Sequence, residues 1–446
     1  MSLGKNKTLN YNINFPFSNP CLLDNNSVSS NLDWSPGVSG KNSIMKAITY
    51  VLAEKSISNL LPLEYPFSPT EHIFGDSNIL VREDEPSSII SYMLGSTFYN
   101  EKLHRRRELR MSNAAGVSTS NIFTGGGEKE KSEASTNEHG NQQQETKPFF
   151  LEMFPETDER ERPWKFSFKG GSTSFTCKIY FAEQFDMLRK SCGCDEIFIS
   201  SLARCTTWDT DGGKSGSIFL KTKDERFLIK QISKYEMDAF LGSANKYFLY
   251  MFNEVFDKGI PTVLCKIFGL YRIGFYNNVS GKSMKMDILV MENLFYETSV
   301  KMVFDLKGSM RNRYAEKSGK DVEVFLDENL VEVISKTPLY MRVDTKCNLS
   351  DSLFNDTQFL LNLDVMDYSL LVGFDEETNQ IIVGIVDFIR TFTWDKKLES
   401  WVKESGMLGG GKKDPTIVSP KMYRRRFRSA IDLYFCMIPD FWTLCL

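Results

Sequence analysis

LLNLDVMDYSLLVGFD, residues 360–375, is followed after a short polar interval by IIVGIVD, residues 381–387. A continuous apolar run of this kind is typical of a buried strand, so the acid at its end, Asp387, is expected at the rim of a sheet. Asp367 lies between apolar residues of the first stretch. Two carboxylates joined by a short hairpin suit phosphoryl transfer, in which one orients the attacking hydroxyl and the other holds Mg²⁺. Taken alone, the two residues also fit a simpler interpretation, in which Asp387 caps a turn and Asp367 caps a helix.

The composition is that of a globular protein with a sizeable core. The chain has 446 residues, of which 41% are hydrophobic and 13% aromatic. The formal net charge is −4, so any attraction to an anionic surface must come from local clusters of cations. No run of eighteen apolar residues occurs, so we expect no membrane-spanning helix. Three histidines are too few and too badly placed to favour histidine-dependent catalysis.

The cysteines argue against a zinc finger or ribbon. There are nine of them, and no two have the Cys-x-x-Cys spacing of such a site. The start of the sequence lacks an apolar secretory core. Together with the odd cysteine count, this predicts a reducing compartment.

Polar segments of low complexity divide the chain. Residues 1–64 are rich in Asn and Ser, and we expect a largely disordered leader with one short helix within residues 41–63. Residues 111–147 are rich in Ser, Gly, Glu, Asn and Gln, which predicts a disordered insertion.

Residues 65–110, between these segments, predict a helical extension. Its amphipathic helix begins near Pro86 and ends in the basic cluster of Arg105, Arg106, Arg107 and Arg110. Cations suit the C-terminal end of a helix dipole, and a membrane or partner contact is the alternative.

Strand-like alternation begins after residue 148. It is clear in TSFTCKIYFAEQF (173–185) and in SIFLKTKDERFLIKQI (217–232). The segment 211–217 between them is rich in glycine and serine, which lets a backbone approach phosphates closely. It is not a Walker motif, because Trp208 stands where that motif needs its first glycine. An ordinary hairpin turn has the same composition.

Lys230 lies inside an apolar strand. In a kinase such a lysine grips the α and β phosphates of ATP, and a solvent-facing strand lysine is the alternative. The helix that follows shows helical spacing of apolar residues until Pro261. Glu236, near its start, is a candidate ion-pair partner of Lys230 and equally a candidate helix cap. The strand in MDILVMENLF (286–295) runs into a polar tripeptide suited to present hinge backbone groups to an adenine edge.

Two further segments concentrate positive charge. Lys307 and Arg313 lie around a glycine in DLKGSMRNR (305–313), which fits either a phosphorylated substrate or an exposed charged turn. After Asp387, basic residues interleave with tryptophans and other apolar residues as far as Arg428, and an anionic bilayer attracts such a pattern. Nucleic acid is the alternative ligand, but no base-reading motif accompanies the charge. Residues 349–363 and 429–442 predict helices.

Taken in order, these segments resemble the phosphatidylinositol phosphate kinases, and within them the type III branch, the phosphatidylinositol-3-phosphate 5-kinases. The resemblance covers residues 65–446 apart from 111–147. The motifs that carry it are VREDEPSSII, DGGKSGSIF, RFLIKQI, VMENLFY, DLKGSMRNRY, MDYSLLVG, IVDFIRTFTWDKKLE and GMLGGGKKDPTIVSPKMYRRRF.

The resemblance implies a bilobal α+β fold, distantly similar to protein kinases, with antiparallel sheets and flanking helices. The N-lobe would span residues 148–300 and the C-lobe residues 301–446, with an activation loop at about 388–420. A protein kinase has an asparagine five residues after its catalytic aspartate, whereas Val372 stands here, which favours a lipid kinase. Full-length type III enzymes also carry a zinc-binding FYVE finger, and this chain lacks the cysteines for one.

The resemblance also implies a set of site residues. Asp367 would be the catalytic aspartate and Asp387 the Mg²⁺ ligand, while Lys230 would bind the phosphates of ATP. The remaining implied contacts are to ATP from Gly213, Ser215, Gly216, Met291, Glu292 and Asn293, and to the lipid from Lys307, Arg313, Lys412 and Lys413.

The implied reaction is transfer of the ATP γ-phosphate to phosphatidylinositol 3-phosphate, which gives phosphatidylinositol 3,5-bisphosphate. The alternatives are a kinase for another phosphoinositide such as phosphatidylinositol 4-phosphate, a kinase for a soluble inositol phosphate, or an inactive scaffold in a membrane complex. The implied partners are a phosphoinositide in an anionic membrane and recruiting or scaffold proteins, without nucleic acid. The implied location is the cytoplasmic surface of endosomal or vacuolar membranes.

Overall fold

The described part of the chain folds into two seven-stranded sheets and one two-stranded sheet, with helices packed against them. The computed structural model of the chain describes residues 10–14, 68, 70–120, 162–208, 218–390 and 419–439. The strands are β1 (Asn10–Asn14), β2 (Glu71–His72), β3 (Val81–Arg82), β4 (Trp164–Gly170), β5 (Thr173–Tyr180), β6 (Cys205–Thr207), β7 (Phe219–Thr222), β8 (Phe227–Gln231), β9 (Ile267–Asn277), β10 (Ser283–Glu292), β11 (Val300–Leu306), β12 (Glu323–Phe325), β13 (Leu339–Met341), β14 (Ser369–Asp375), β15 (Gln380–Val386) and β16 (Phe435–Met437). The helices are α1 (Pro86–Gly95), α2 (Thr97–Ser120), α3 (Ala182–Ser191), α4 (Asp195–Leu202), α5 (Lys234–Leu249), α6 (Asp327–Lys336), α7 (Val343–Asn362) and α8 (Pro420–Tyr434). The segment Tyr250–Asp257 continues α5 as a π-helix.

The first sheet is antiparallel throughout, with the strand order β4-β5-β9-β10-β8-β7-β6. Period-two alternation buries Phe175, Cys177 and Ile179 of β5 on one face. These side chains belong to a core shared with Ile90 of α1 and Phe198 of α4. The alternation seen in the sequence therefore reflects a sheet with helices on its buried face.

The second sheet has the order β12-β11-β14-β15-β1-β13-β16. Its centre is the antiparallel hairpin of β14 and β15, and β15 is almost wholly buried. One continuous core joins this hairpin to α5, α7 and α8, and to Leu270 and Leu289 of the first sheet. The predicted α+β fold is confirmed. The second sheet is nevertheless mixed, because β1, β12, β13 and β16 form parallel pairs.

The predicted amphipathic helix after Pro86 is two helices. The chain is extended at Ser96, whose hydroxyl donates to the Met93 carbonyl oxygen at 2.7 Å and so ends α1. Helix α2 then continues to Ser120, into the first part of the tract 111–147 that we expected to be disordered. The rest of that tract lies outside the described residues.

The basic cluster on α2 has an internal partner. Arg106 and Arg110 place their Nε atoms 3.0 and 2.7 Å from the two oxygens of Glu183 on α3, and Arg107 contacts Asp186. Because the helix runs ten residues beyond Arg110, these cations are not at its C-terminal end. The helix-dipole interpretation is therefore wrong, and the cluster fixes α2 to α3.

Both ends of the chain differ from expectation as well. Strand β1 lies within the predicted leader and pairs with both β13 and β15, while residues 41–63 lie outside the described residues. The helix predicted over 429–442 starts earlier, at Pro420, where the Ser419 hydroxyl accepts from the Met422 N–H. It ends at Tyr434, and the chain continues as β16.

Smaller differences concern element bounds. The end of TSFTCKIYFAEQF is the start of α3 rather than strand, and the helix predicted over 349–363 already begins at Val343. Within the described part of the chain, no helix has the length and hydropathy needed to cross a membrane.

Gly308 allows α8 to pack against the turn that follows β11. Its φ is +66°, and a Cβ there would lie 2.8 Å from the Phe427 Cα and 3.1 Å from the Arg426 carbonyl oxygen. Those neighbours are backbone atoms of α8, which cannot move away without displacing the helix. A side chain at position 308 would therefore separate the turn from α8.

We expect Gly308→Ala to lower the free energy of unfolding by about 3 kcal/mol, because the methyl group adds a clash to the cost of a left-handed backbone. Gly319→Ala is the matched control. Gly319 also has a positive φ, +78°, but nothing lies within 4 Å of its added Cβ. The control should cost about 1 kcal/mol. Chemical denaturation of both variants tests this, and equal losses would show that the approach of α8 is not restrictive.

Candidate active site

The β14–β15 hairpin brings the two acids to the same end of two central strands of the second sheet. Ser369 pairs with Val386, so Asp367 just before β14 and Asp387 just after β15 lie at the same end of the hairpin. Both have left-handed backbones, with φ of +66° and +58°. Aspartate tolerates this conformation better than most residues. Each carboxylate receives a lysine ammonium instead of capping a helix or turn.

Lys230 lies on β8 of the first sheet and reaches the second. Its Nζ is 2.8 Å from Asp387 Oδ1 and 3.4 Å from Glu236 Oε1, and its side chain is 3% exposed. A buried ammonium needs such partners, because its desolvation otherwise costs several kcal/mol. The solvent-facing alternative for Lys230 is therefore wrong.

Glu236 has both of the roles that the sequence left open. Its Oε2 accepts from the Ser233 N–H and hydroxyl, both at 2.9 Å, which caps α5. Its Oε1 faces Lys230 and also accepts from Arg390 Nε at 3.1 Å. Burial alone would raise the pKa of this carboxyl, but the Ser233 hydrogen bonds and the Lys230 charge outweigh it and hold the pKa below its ordinary value.

Lys307 holds the other acid. Its Nζ donates to Asp367 Oδ1 at 2.8 Å and to the Asp367 carbonyl oxygen at 2.7 Å. The Asp367 side chain is 67% exposed, so the carboxylate remains open to a ligand. The lysine thus fixes both the backbone and the side chain of Asp367 and places a cation beside it.

The turn that carries Lys307 is built around Asp327, which is fully buried at the start of α6. The Asp327 carboxylate accepts from the N–H groups of Lys307 and Gly308, from Arg313 Nε at 2.9 Å and from the Tyr434 hydroxyl at 3.1 Å. Arg313 also contacts Asp305 at 2.8 Å. The guanidinium of Arg313 is therefore engaged in positioning the turn. Nothing in the sequence singled out Asp327.

A narrow cleft separates the two sheets beside Lys230 and Asp387. Apart from Lys230 and Asp387, the residues that line the cleft are apolar. Both sheets contribute residues to the lining. The residues that line it are Lys230, Cys265, Ile267, Leu289, Met291, Val386, Asp387, Phe388 and Ile389. Apolar walls with a few convergent polar groups are typical of small-molecule sites in general.

Comparison with known proteins shows which family the chain resembles. The family described as Phosphatidylinositol-4-phosphate 5-Kinase matches residues 203–382. The chain is 42% identical over 452 residues to the 1-phosphatidylinositol 3-phosphate 5-kinase of Saccharomyces cerevisiae, an alignment that covers 90% of this chain and 20% of the yeast protein. This chain belongs to the phosphatidylinositol phosphate kinase family.

Two other relatives of this chain carry similar names. The human 1-phosphatidylinositol 3-phosphate 5-kinase is 48% identical over 282 residues, which cover 62% of this chain and 13% of the human protein. An Arabidopsis thaliana 1-phosphatidylinositol-3-phosphate 5-kinase is 47% identical over 275 residues, which cover 61% of this chain and 15% of the plant protein. The chain thus spans a fifth or less of the length of these relatives. The description of the matched family as a kinase implies ATP use by its members.

The three residues predicted to form the hinge make different contacts. Met291 lines the cleft, whereas Glu292 turns into the protein and is 1% exposed. Asn293 donates from Nδ2 to the Glu225 carbonyl oxygen at 2.7 Å and so ties the segment to the turn before β8. The structure therefore places Met291 on the wall of the cleft and engages its two neighbours in contacts within the protein.

Glu292 pairs with a buried lysine that sequence reasoning missed. Glu292 Oε1 accepts from the Lys266 N–H at 2.6 Å and lies 3.6 Å from Lys266 Nζ. Burial alone would lower the pKa of the Lys266 ammonium, but the adjacent carboxylate outweighs burial and raises it. No spacing rule connects the two residues, because the pair forms between a loop and the end of β10.

Five predicted contacts cannot be placed. Gly213, Ser215, Gly216, Lys412 and Lys413 lie outside the described residues. The strands that flank the first three, β6 and β7, pair antiparallel.

The double role of Glu236 can be separated by mutation. Ser233→Ala removes the cap alone and should cost about 1 kcal/mol of unfolding free energy, with ATP affinity unchanged. Glu236→Gln keeps an acceptor for the cap but removes the charge that faces Lys230, so ATP affinity should fall about tenfold. Titration with a fluorescent ATP analogue, together with thermal melts, measures both effects. Equal losses of ATP affinity in the two variants would contradict this separation.

Proposed function

We propose that the chain is a lipid kinase that transfers the γ-phosphate of ATP to the 5-hydroxyl of phosphatidylinositol 3-phosphate. The product would be phosphatidylinositol 3,5-bisphosphate. The observation that carries the proposal is the pair of lysine-held aspartates at one end of the β14–β15 hairpin, beside an apolar cleft. The names of the curated relatives support the choice of lipid.

In this proposal the two acids have different roles in the reaction. Asp367, which is open to solvent, accepts the proton of the lipid hydroxyl. At the same time the oxygen of that hydroxyl attacks the γ-phosphorus of ATP. The bond to the β,γ-bridging oxygen breaks and ADP leaves. Lys230 donates to the α and β phosphates, with Glu236 remaining as its second partner when those phosphates approach.

Asp387 fits the role of Mg²⁺ ligand. Mg²⁺ in kinases is held by one or two carboxylates and takes its other ligands from phosphates and water. Asp387 offers a half-exposed carboxylate with only Oδ1 engaged by Lys230. Bound Mg²⁺ would neutralise charge on the β and γ phosphates.

The lipid contacts in the proposal come from cations around Asp367. Lys307 is placed to meet the head group or the transferred phosphate, while Arg313 acts by positioning the turn. The resemblance adds Lys412 and Lys413 as residues that select the 3-phosphate. We further propose that the protein acts at the cytoplasmic face of endosomal or vacuolar membranes, with recruiting or scaffold proteins.

The family description favours a second candidate, phosphatidylinositol 4-phosphate, as substrate. Incubation with labelled ATP and vesicles that carry one phosphoinositide each, followed by identification of the deacylated product, separates the two. We expect the 3,5-bisphosphate from the 3-phosphate vesicles. Turnover of the 4-phosphate lipid alone would overturn the substrate assignment, and no turnover of any lipid would indicate an inactive scaffold.

Asp367→Asn should lower kcat about 10³-fold, because it removes the proton acceptor, while the melting temperature stays unchanged. Asp364→Asn is the matched control, since Asp364 is also an exposed aspartate with a left-handed backbone, three positions earlier. The control should retain parental kcat in the same vesicle assay. If both variants kept it, Asp367 would not be the base.

A further inference from the structure

Helix α8 carries four cations on one side of its first two turns. Lys421, Arg424, Arg425 and Arg428 have the spacing i, i+3, i+4 and i+7, which places them side by side. A different side of the helix contacts the segment next to Asp367, where the Tyr423 hydroxyl donates to the Tyr368 carbonyl oxygen. The cationic side is therefore separate from the site built on Asp367.

This arrangement opposes the stability of the helix. Like charges three and four residues apart repel one another, and cations near a helix N-terminus face the positive end of its dipole. The first turn of α8 contains no acid. Burial and the nearby Arg428 both lower the pKa of the Arg424 guanidinium. An anionic ligand would relieve this repulsion.

The cations face a groove between α7 and α8. Its volume is about 440 Å³, within the range of small-molecule sites. Its charged lining residues are Lys346, Lys421, Arg424, Arg425, Arg428 and Asp432. Asp432 is the one carboxylate among the described residues that line it, and it is paired with Lys346 Nζ at 2.9 Å. The rest of the groove is strongly positive, although the chain as a whole has a net charge of −4.

Two of the guanidinium groups are held in place before any ligand arrives. Arg424 donates from Nε to the Thr357 hydroxyl at 3.1 Å and from Nη2 to the Phe354 carbonyl oxygen. Arg424 and Arg428 also lie over the Phe354 ring, with their Cζ atoms 5.1 and 4.8 Å from its centroid. A guanidinium whose position is already fixed loses little side-chain freedom when its remaining N–H groups donate to a phosphate.

We propose that this groove is a second, non-catalytic site for the phosphorylated inositol head group of a membrane lipid. Exposed apolar side chains favour a lipid over a soluble phosphate, because Met422 in the groove lining is 54% exposed and Phe354, beneath Arg424 and Arg428, is 47% exposed. A bilayer would cover these side chains while a phosphorylated head group meets the cations. The choice of an inositol lipid rests on the proposed function, whereas the preference for phosphate rests on the groove alone.

The test is sedimentation with phosphatidylcholine vesicles that contain phosphatidylinositol 3-phosphate, without ATP. The starting protein is the Lys307→Met variant, which removes the cation beside Asp367 from the measurement. Adding Lys421→Gln and Arg425→Gln removes two exposed groove cations. Each substitution would lose a charge-assisted hydrogen bond to a head-group phosphate, so vesicle affinity should fall about 30-fold. Vesicles with phosphatidylserine at equal charge density should show a much smaller loss.

A competition arm distinguishes a lipid from a soluble source of phosphate. The deacylated head group, glycerophosphoinositol 3-phosphate, should displace the protein from vesicles only at concentrations far above that of the lipid. Displacement at equal concentrations would show that the groove takes a soluble phosphate and would overturn the lipid assignment.

Two controls keep the result interpretable. Lys282→Gln with Lys285→Gln removes two exposed cations from the β9–β10 hairpin of the first sheet and should change vesicle affinity less than threefold. The groove variant should melt no lower than its parent, since it removes repulsion. An equal loss from the hairpin variant, an equal loss on phosphatidylserine vesicles, or a lower melting temperature would each overturn the proposal. A wild-type protein that turned over no lipid, while the Lys307→Met protein still bound vesicles through the groove, would instead contradict only the proposed kinase function.

Discussion

The buried ammonium of Lys230 joins the two halves of the molecule. It lies on β8 of the first sheet, yet its partner Asp387 follows β15 of the second, 157 positions along the chain. At 3% exposure the lysine has no water to replace a lost partner, so the two sheets are held at the spacing that this contact requires. The cleft between them, the position of Asp387 and the second partner, Glu236, all depend on that spacing.

Local patterns were sufficient to predict much of this architecture. The apolar run that ends in Asp387 is buried as a strand, and the helical spacing after Glu236 is that of α5. These predictions succeed because a period of two or of 3.6 residues directly records which side of an element is buried. Asp367 and Lys230 were found in the same way, since a charge inside an apolar strand or beside one needs an explanation.

Contacts between distant segments could not be predicted. The arginines of α2 pair with Glu183, more than seventy positions away, and in sequence they suggested a helix end instead. Glu292 resembled a hinge residue, but its side chain turns inward to Lys266. In the sequence Asp327 is an ordinary acid at the start of a helix. Only the folded structure shows the hydrogen-bond donors around its carboxylate. In each case the partner is chosen by tertiary packing, for which one sequence offers no periodic signal.

The hydrogen bond from Tyr434 to Asp327 has a consequence for the order of folding. It links α8 to the turn of Lys307 across 107 positions, and Gly308 packs on the same helix. Contacts of such sequence separation form late, because their loop-closure entropy is lost before they stabilise anything. The Lys307 turn is therefore complete only once α8 has docked. Local unfolding of this C-terminal helix would remove the support of Lys307 even while Asp367 stays on its hairpin.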